Sequence, residues 1–151
     1  MKRIVESLDD RNRSELALLI EGIFSGQMVD HADYFRHLFQ VVLSMSQLGG
    51  VVLIGRGGNF ILGPKRGFHL RMIAPRELRI DNLRRYRTMS EHEAKEYVEK
   101  TDSDRRLFIS RQFKADIDDA CHYDLVINTA LLDVEELVGM IGLAVKAKMN
   151  K

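Results

Sequence analysis

The chain has 151 residues, of which 45% are apolar and 30% are charged, and its formal net charge is +1. These values are ordinary for one soluble globular domain with a real core, and nothing in them points to nucleic acid or a membrane. The single cysteine, Cys121, excludes an internal disulfide and fits a reducing compartment. No apolar run reaches the roughly 18 residues of a membrane span. We therefore expect a cytoplasmic protein without a nucleic-acid or membrane partner.

The first third of the chain predicts two amphipathic helices. The first has apolar residues at helical spacing, namely Leu16, Leu19, Ile20, Ile23 and Phe24. Asp30 is predicted to cap the second, with Asp33 in its first turn and with Gly49 and Gly50 at its end. The predicted buried stripe of this second helix consists of Tyr34, Phe35, Leu38, Val41, Val42, Met45 and Leu48.

The stretch from Val51 to Leu62 carries the first candidate site. Four apolar residues run into Gly55, which predicts a buried strand that opens onto a loop. In an open parallel sheet, ligands bind beyond the carboxyl ends of the strands, and Arg56 stands at such an end. A forked, permanently charged donor there suits a phosphate or a carboxylate. The alternative is a tight turn with a solvated arginine.

A second strand is predicted from Phe68 to Ala74, buried through most of its length. Pro75 can open the next helix at its first position, and Glu77 suits the first turn. This helix runs to about residue 87 and carries five arginines, which are Arg76, Arg79, Arg84, Arg85 and Arg87. A basic helix is often a solvated face, but its position after a strand end favours an anion as its partner.

Ser90 and Glu93 form a capping box for a helix over residues 91–100. The polar run 101–104 is predicted to interrupt it and to cap another helix near residues 105–114, which bears Arg105, Arg106 and Arg111. The acidic run 116–119 suggests a weak cation site, although its spacing does not match a calcium loop.

The last part of the chain predicts a third strand, Tyr123 to Thr129, and a final helix. Asp133 and Glu136 repeat the capping-box spacing, and the predicted buried residues of that helix are Leu137, Met140, Ile141, Ala144 and Val145. Three apolar strands separated by helices indicate an α/β fold with a parallel sheet. The dinucleotide fingerprint fails at Phe60, and the phosphate-loop motif occurs nowhere in the chain.

With these residues in view, the chain resembles the cytidylate kinase-like family of P-loop nucleoside monophosphate kinases, from about Leu8 to Met140. The order and spacing of several parts carry the resemblance: Asp9-Asp10-Arg11, Val51 to Leu62 with Gly55-Arg56-Gly57, Ile73-Ala74-Pro75 with Arg79, Ser90 to Ala94, Asp102 with Arg105 and Phe108, and Tyr123 to Thr129. It implies a three-layer parallel sheet flanked by helices, in a single partial domain over residues 1–151. The family's first strand, P-loop and second strand are missing from the matching part.

The resemblance also implies an activity, the transfer of the terminal phosphoryl group of ATP to CMP or dCMP with Mg²⁺. It implies that Arg56, with Gly55 and Gly57, holds the acceptor phosphate. Arg79 would bind substrate near the start of a mobile lid over residues 87–114, and Arg105 and Arg111 would close on the phosphates as lid arginines. Such chemistry needs positioning and positive charge more than covalent catalysis.

Without a phosphate loop, the chain lacks the lysine that neutralises phosphate and the hydroxyl that holds magnesium. We expect it to be inactive alone, as a fragment, a chain from a misplaced start or a relative that has lost catalysis. The alternative is a non-catalytic nucleotide-binding or assembly module. In the family's sheet order, 2-3-1-4-5, the missing strand 1 would leave a gap one strand wide between the strands that start at Val51 and Phe68. We therefore expect a homo-oligomer that covers the exposed edge.

Overall fold

The structure, a computed structural model, describes residues 31–150. The predicted helix over Leu16–Phe24 and the cap Asp30 lie outside this range. The chain divides into two compact units, Met1–Gly67 and Phe68–Lys151. The described elements are α1 (His31–Leu48), α2 (Gly58–Leu62), β1 (Leu70–Ile73), α3 (Arg76–Arg87), α4 (Glu91–Phe113), a 3₁₀ turn (Ala120–His122), β2 (Leu125–Asn128) and α5 (Val134–Met149).

The first unit contains α1, whose apolar stripe confirms the predicted amphipathic helix. Asp33 lies in the first turn, where a negative charge favours the helix dipole. Four residues of the stripe are buried, namely Leu38, Val41, Val42 and Met45. Leu48, predicted to be buried, is 37% exposed because it stands in the last turn. Gly49 and Gly50 then take positive φ values of 66° and 63°, which end the helix.

The segment Val51–Ile54 is not a strand, so the prediction of a buried strand there is wrong. The side chains of Val52 and Ile54 are 82% and 91% exposed. An apolar run becomes a strand only when a neighbouring strand pairs with its backbone and a second layer covers its side chains. Among the described residues, no strand pairs with this segment.

The second unit contains a small parallel sheet. β1 and β2 pair in register from Leu70 opposite Leu125 to Ile73 opposite Asn128. This confirms two of the predicted strands and their parallel direction. Within the described residues the sheet has two strands, and not the three that were predicted. β1 is also less buried than predicted, with Met72 and Ile73 57% and 42% exposed, because so small a sheet leaves each strand an open side.

Helices α3 and α4 pack against each other and form the core of the second unit. Pro75 precedes α3 at the N-cap position, one residue earlier than predicted, and Glu77 lies in the first turn. The capping box of α4 is confirmed: Ser90 Oγ accepts from the Glu93 N–H at 3.3 Å, and the Glu93 carboxylate accepts from the Ser90 N–H at 2.8 Å. The helices share a buried cluster of Ile80, Ala94 and Val98, with Leu83 and Met89 packed against it.

Helix α4 runs without a break through residues 101–104, so the predicted interruption is wrong. A capping aspartate must turn its carboxylate back onto the backbone N–H groups of its own helix. Asp102 instead directs its carboxylate across to Arg79 of α3. The side chain that suggested a helix end therefore serves a contact between two helices, and α4 continues to Phe113.

Helix α5 begins at its predicted capping box. The Asp133 carboxylate accepts from the Glu136 N–H at 2.8 Å, and the Glu136 carboxylate accepts from the Asp133 N–H at 3.0 Å. Leu137 is buried as predicted, whereas Met140 is 47% exposed, since it lies outside the covered face. None of the helices in residues 31–150 combines the length and apolarity needed to cross a membrane.

Candidate functional site

A cleft of about 730 Å³ lies in the second unit. Its walls come from α3, from α4 and from the segment that follows α4. Its charged lining consists of three arginines and three carboxylates, which are Arg76, Arg79, Arg106, Glu99, Asp102 and Asp116. We call it the arginine cleft. Ser103 and Ser110 add two hydroxyl groups to the lining.

Helical spacing explains why these side chains share one cleft. Arg76 and Arg79 are three residues apart in the first turns of α3, directly after the carboxyl end of β1. Along α4, the lining residues recur at intervals of three and four, which places them on one stripe of the helix: Glu99, Asp102, Ser103, Arg106, Leu107 and Ser110. This stripe exists only because α4 is continuous through residues 101–104.

The central contact of the arginine cleft joins Arg79 and Asp102. Nη1 of Arg79 donates to both carboxylate oxygens of Asp102, at 2.7 and 2.9 Å. This hydrogen bond lowers the pKa of Asp102, against the opposing effect of its partial burial, and the same bond raises the pKa of Arg79. Both groups are therefore charged at neutral pH.

Arg79 keeps an unused donor. Its Nε atom is buried, and no group among the described residues accepts a hydrogen bond from it. A buried donor without an acceptor costs about 1–3 kcal/mol. Such atoms are uncommon in folded proteins and call for an explanation, of which a ligand oxygen is one.

The other two arginines of the cleft are also paired. Arg76 forms an ion pair with Glu99, and Nε of Arg106 donates to Asp118 at 3.2 Å. Asp118 in turn pairs with Arg71 of β1. Each cationic group of the arginine cleft thus faces a carboxylate, and an entering anion has to share or replace that partner.

The acidic run 116–119 has structural roles. Asp116 accepts from the N–H of Asp118 at 2.9 Å, and Asp119 accepts from the N–H of Cys121 at 2.9 Å. Arg71 holds the run against β1 through Asp118 and the carbonyl oxygen of Ile117. Among the described residues, no group of three His, Cys, Asp or Glu side chains is placed to hold a metal ion.

The donor set of the arginine cleft does not fit a resident magnesium ion. Mg²⁺ prefers carboxylate and water oxygens in octahedral geometry. Glu99 and Asp102 are each paired with an arginine, and Asp116 is bonded to backbone within its own run. The 151 residues also contain no phosphate-loop motif to cradle the phosphates of ATP.

A second, smaller cleft of about 320 Å³ lies on α3 and α4. Its polar and aromatic lining consists of Arg79, Asn82, Tyr86, Arg87, Tyr97, Thr101, Asp102 and Arg105. We call it the tyrosine cleft. Arg79 and Asp102 line both clefts, so their ion pair is a shared wall. Three arginines here face a single carboxylate, which makes this cleft more cationic than the arginine cleft.

The structure separates the sequence-predicted site residues of the second unit. Arg79 lines both clefts, and Arg105 lines the tyrosine cleft. Arg111 is exposed and lines neither of these two clefts. Because Arg105 and Arg111 are six residues apart on one continuous helix, their directions differ by roughly 120°.

Sequence reasoning missed the contributions of Arg76, Asp102 and Arg106 to the arginine cleft. The signal was present, since residues 99, 102, 103 and 106 follow a helical spacing. It was hidden by the interpretation of residues 101–104 as a helix end.

The remaining predicted residues, Gly55, Arg56 and Gly57, belong to the first unit. They adopt positive φ in succession, at 78°, 55° and 68°. Glycine accepts this conformation easily, but Arg56 does so at a cost of about 1–3 kcal/mol. Gly57 caps the short helix α2, and the side chain of Arg56 is exposed. The loop is therefore a strained turn with an arginine at its apex.

Comparison with known proteins gives one family. A family model described as the cytidylate kinase-like family matches residues 1–131. The matched range covers most of the chain and includes all the predicted site residues. A search of curated proteins finds none that matches this chain.

Proposed function

This chain belongs to the cytidylate kinase-like family, and from that premise we propose that its arginine cleft binds the phosphate of a nucleoside monophosphate. The observation that carries the proposal is the buried Nε–H of Arg79, which has no acceptor within residues 31–150 and lies beside a cleft with two further arginines. An arginine fork matches the geometry of phosphate oxygens, and a phosphate would satisfy the unused donor. CMP and dCMP are the substrates that the family suggests.

The roles implied by the resemblance complete the proposal. We propose that the parent activity is ATP- and Mg²⁺-dependent phosphoryl transfer, and that residues 87–114 act as a lid carrying Arg105 and Arg111. In the first unit, we propose that Arg56 and the adjacent glycines contact an acceptor phosphate. The support there is the strained turn that presents Arg56, since strain of this kind often marks a functional loop.

The binding proposal is tested by titrating the full chain with CMP in a calorimeter. Arg79→Lys keeps the charge but removes the Nε donor and the forked geometry. We expect its Kd for CMP to rise at least about tenfold, which corresponds to about 1.4 kcal/mol. Arg85→Lys is the matched control, because Arg85 is an exposed arginine of the same helix and lines neither cleft. Equal losses in the two variants would contradict the proposal.

The contribution of Arg56 is tested separately by NMR. Addition of CMP is expected to shift the backbone amide signals of residues 55–59, and Arg56→Ala is expected to abolish those shifts. Unperturbed signals at millimolar CMP would remove Arg56 from the proposed site.

We further propose that these 151 residues alone do not catalyse phosphoryl transfer from ATP to a nucleoside monophosphate, because they contain no phosphate-loop motif. A coupled assay of ADP release with CMP, dCMP, UMP and AMP measures this directly. Turnover by the purified chain at ordinary kinase rates, about 1–100 per second, would overturn this part of the proposal.

A non-catalytic assembly module is the second candidate function, and exposed apolar surface in the second unit favours it. On the sheet, Met72, Ile73 and Val126 are 57%, 42% and 37% exposed. Beyond β2, Leu131, Val134 and Val138 are 80%, 74% and 65% exposed. A two-stranded sheet is only marginally stable by itself, and strands added at its edges would widen it toward the predicted larger sheet.

We propose that copies of the chain pair through these exposed apolar residues as a homo-oligomer. Sedimentation at micromolar concentration tests the pairing. A monomer with a cooperative thermal transition would show that the surface needs no partner.

A further inference from the structure

The Arg79–Asp102 pair has an unusual arrangement of donors. An arginine and a carboxylate commonly pair through two parallel hydrogen bonds, each from a different nitrogen. Here both carboxylate oxygens of Asp102 accept hydrogen bonds from one nitrogen, Nη1, at 2.7 and 2.9 Å. Nε of Arg79 is buried and has no acceptor among the described residues, and Nη2 is the nitrogen beside it on the guanidinium. These two nitrogens form one edge of the planar guanidinium, and their N–H bonds point the same way.

We propose that Asp102 is a positioning residue, which holds Arg79 through Nη1 so that the Nε–Nη2 edge takes two oxygens of a phosphate. The inference rests on the proposed function of the arginine cleft and assigns a role to a carboxylate inside it. A carboxylate beside an anion site has an electrostatic cost, since it repels the ligand. Its benefit is geometric, because a guanidinium with several rotatable bonds is restricted to one orientation before the ligand arrives.

The surroundings of Asp102 suit this role. It lies one turn of α4 after Val98, which is buried in the α3–α4 core, so its backbone is anchored near Arg79. Its side chain and that of Arg79 are 27% and 34% exposed, so the contact is partly shielded from water. Arg105 and Arg106 lie close enough to favour the charged carboxylate, which reduces the repulsion that an anion would meet.

Electrostatics and positioning predict opposite signs for one substitution. If Asp102 only competes with the ligand, Asp102→Asn removes a negative charge and phosphate binds more tightly. If Asp102 positions Arg79, the same substitution weakens binding, because the ion pair that orients the guanidinium is lost. We expect the affinity for inorganic phosphate and for CMP to fall at least about fivefold, or about 1 kcal/mol.

The experiment is a titration of the full chain with inorganic phosphate and then CMP, followed by NMR of the arginine Nε–H groups. In the natural chain, the Arg79 Nε–H signal is expected to shift on phosphate addition. In Asp102→Asn that shift is expected to shrink together with the affinity. Asp102→Glu keeps the carboxylate and is expected to retain more affinity than Asp102→Asn. Asp104→Asn is the matched control, because it removes the same charge from an exposed position of the same helix.

The outcomes separate this inference from the proposed function. Phosphate binding with a shift at Arg79, combined with unchanged or tighter binding in Asp102→Asn, overturns the positioning role alone. An equal loss in Asp104→Asn also overturns it, because the effect would then be one of net charge. The absence of any phosphate-dependent shift at Arg79 in the natural chain overturns both. Thermal unfolding of each variant shows whether it is folded. If Asp102→Asn is not folded, the affinity of Asp102→Glu decides whether Asp102 positions Arg79.

Discussion

Two ion pairs of the second unit have similar burial but different hydrogen bonding. Lys148 of α5 contacts both carboxylate oxygens of Asp124 at 2.7 Å, and the backbone N–H of His69 also donates to that carboxylate at 2.7 Å. The side chains of this pair are 24% and 25% exposed, against 34% and 27% for Arg79 and Asp102. The Asp124 carboxylate joins the start of the sheet to α5. Arg79, by contrast, keeps a buried donor that has no acceptor in the part of the chain that the structure describes.

This difference separates a structural contact from a candidate site. Ion pairs of this exposure contribute modestly to stability unless further hydrogen bonds fix them. The Asp124 pair has such a bond from backbone, so we infer that it stabilises the fold. In the Arg79 pair, the Nε–H donor stays unused by the described residues, so we infer that this pair serves a ligand.

The largest expected effect concerns the structural pair. Asp124→Ala removes the acceptor for Lys148 and for the His69 N–H, and we expect it to lower the free energy of unfolding by about 2 kcal/mol. Urea denaturation measures the loss. Asp104→Ala, at an exposed position, is expected to change stability by less than about 0.5 kcal/mol. We expect the affinity for CMP to stay unchanged in Asp124→Ala. A loss of unfolding free energy no larger than that of Asp104→Ala would reject the structural role of Asp124.

The second prediction concerns local stability around the candidate site. We expect amides of residues 87–114 to exchange with solvent at least about tenfold faster than those of β1 and β2, after correction for intrinsic rates. From residue 99 to its end, α4 buries one side chain, Ile109, so little apolar contact holds this part of the helix. Protection of α4 equal to that of the strands would argue against a mobile lid.

The third prediction concerns the contribution of the capping box to the stability of α4, the helix that contains Asp102. Ser90→Ala removes the side-chain half of the capping box and is expected to cost about 1 kcal/mol of stability. Ser46→Ala makes the same chemical change inside α1, where the hydroxyl contacts the carbonyl of Leu43, and should cost less than about 0.5 kcal/mol. Chemical denaturation compares the two. A smaller loss at Ser90 than at Ser46 would contradict the importance of the cap.

The smallest expected effect is a pH dependence of the structural pair. Partial burial alone would raise the pKa of Asp124, but the hydrogen bonds from Lys148 and His69 bring it below its ordinary value. A carboxylate with a lowered pKa in the folded state contributes stability above its unfolded pKa of about 3.9, and the contribution disappears as pH falls through the folded pKa.

Asp124→Asn should therefore make the stability curve less steep below about pH 4. Urea midpoints measured between neutral and acid pH test this expectation. Parallel curves for the variant and the natural chain would show that the pair does not couple to protonation.

Several features followed from the sequence because their causes are local. Both capping boxes appeared where Ser90 with Glu93 and Asp133 with Glu136 predict them, since these bonds join residues three apart. The α1 stripe and the parallel pairing of two strands also followed from periodicity and element order. The family assignment was confirmed by the match over residues 1–131.

Only the tertiary structure decided the features that depend on distant partners. Val51–Ile54 has the composition of a strand, but no described strand pairs with it. Residues 101–104 have the composition of a helix end, but Asp102 bonds to a residue 23 positions earlier in the chain, and α4 continues. The same long-range contact forms part of the arginine cleft, and it leaves the Nε of Arg79 without an acceptor among the described residues. A sequence read locally shows which groups need partners, whereas packing decides which partner each one finds.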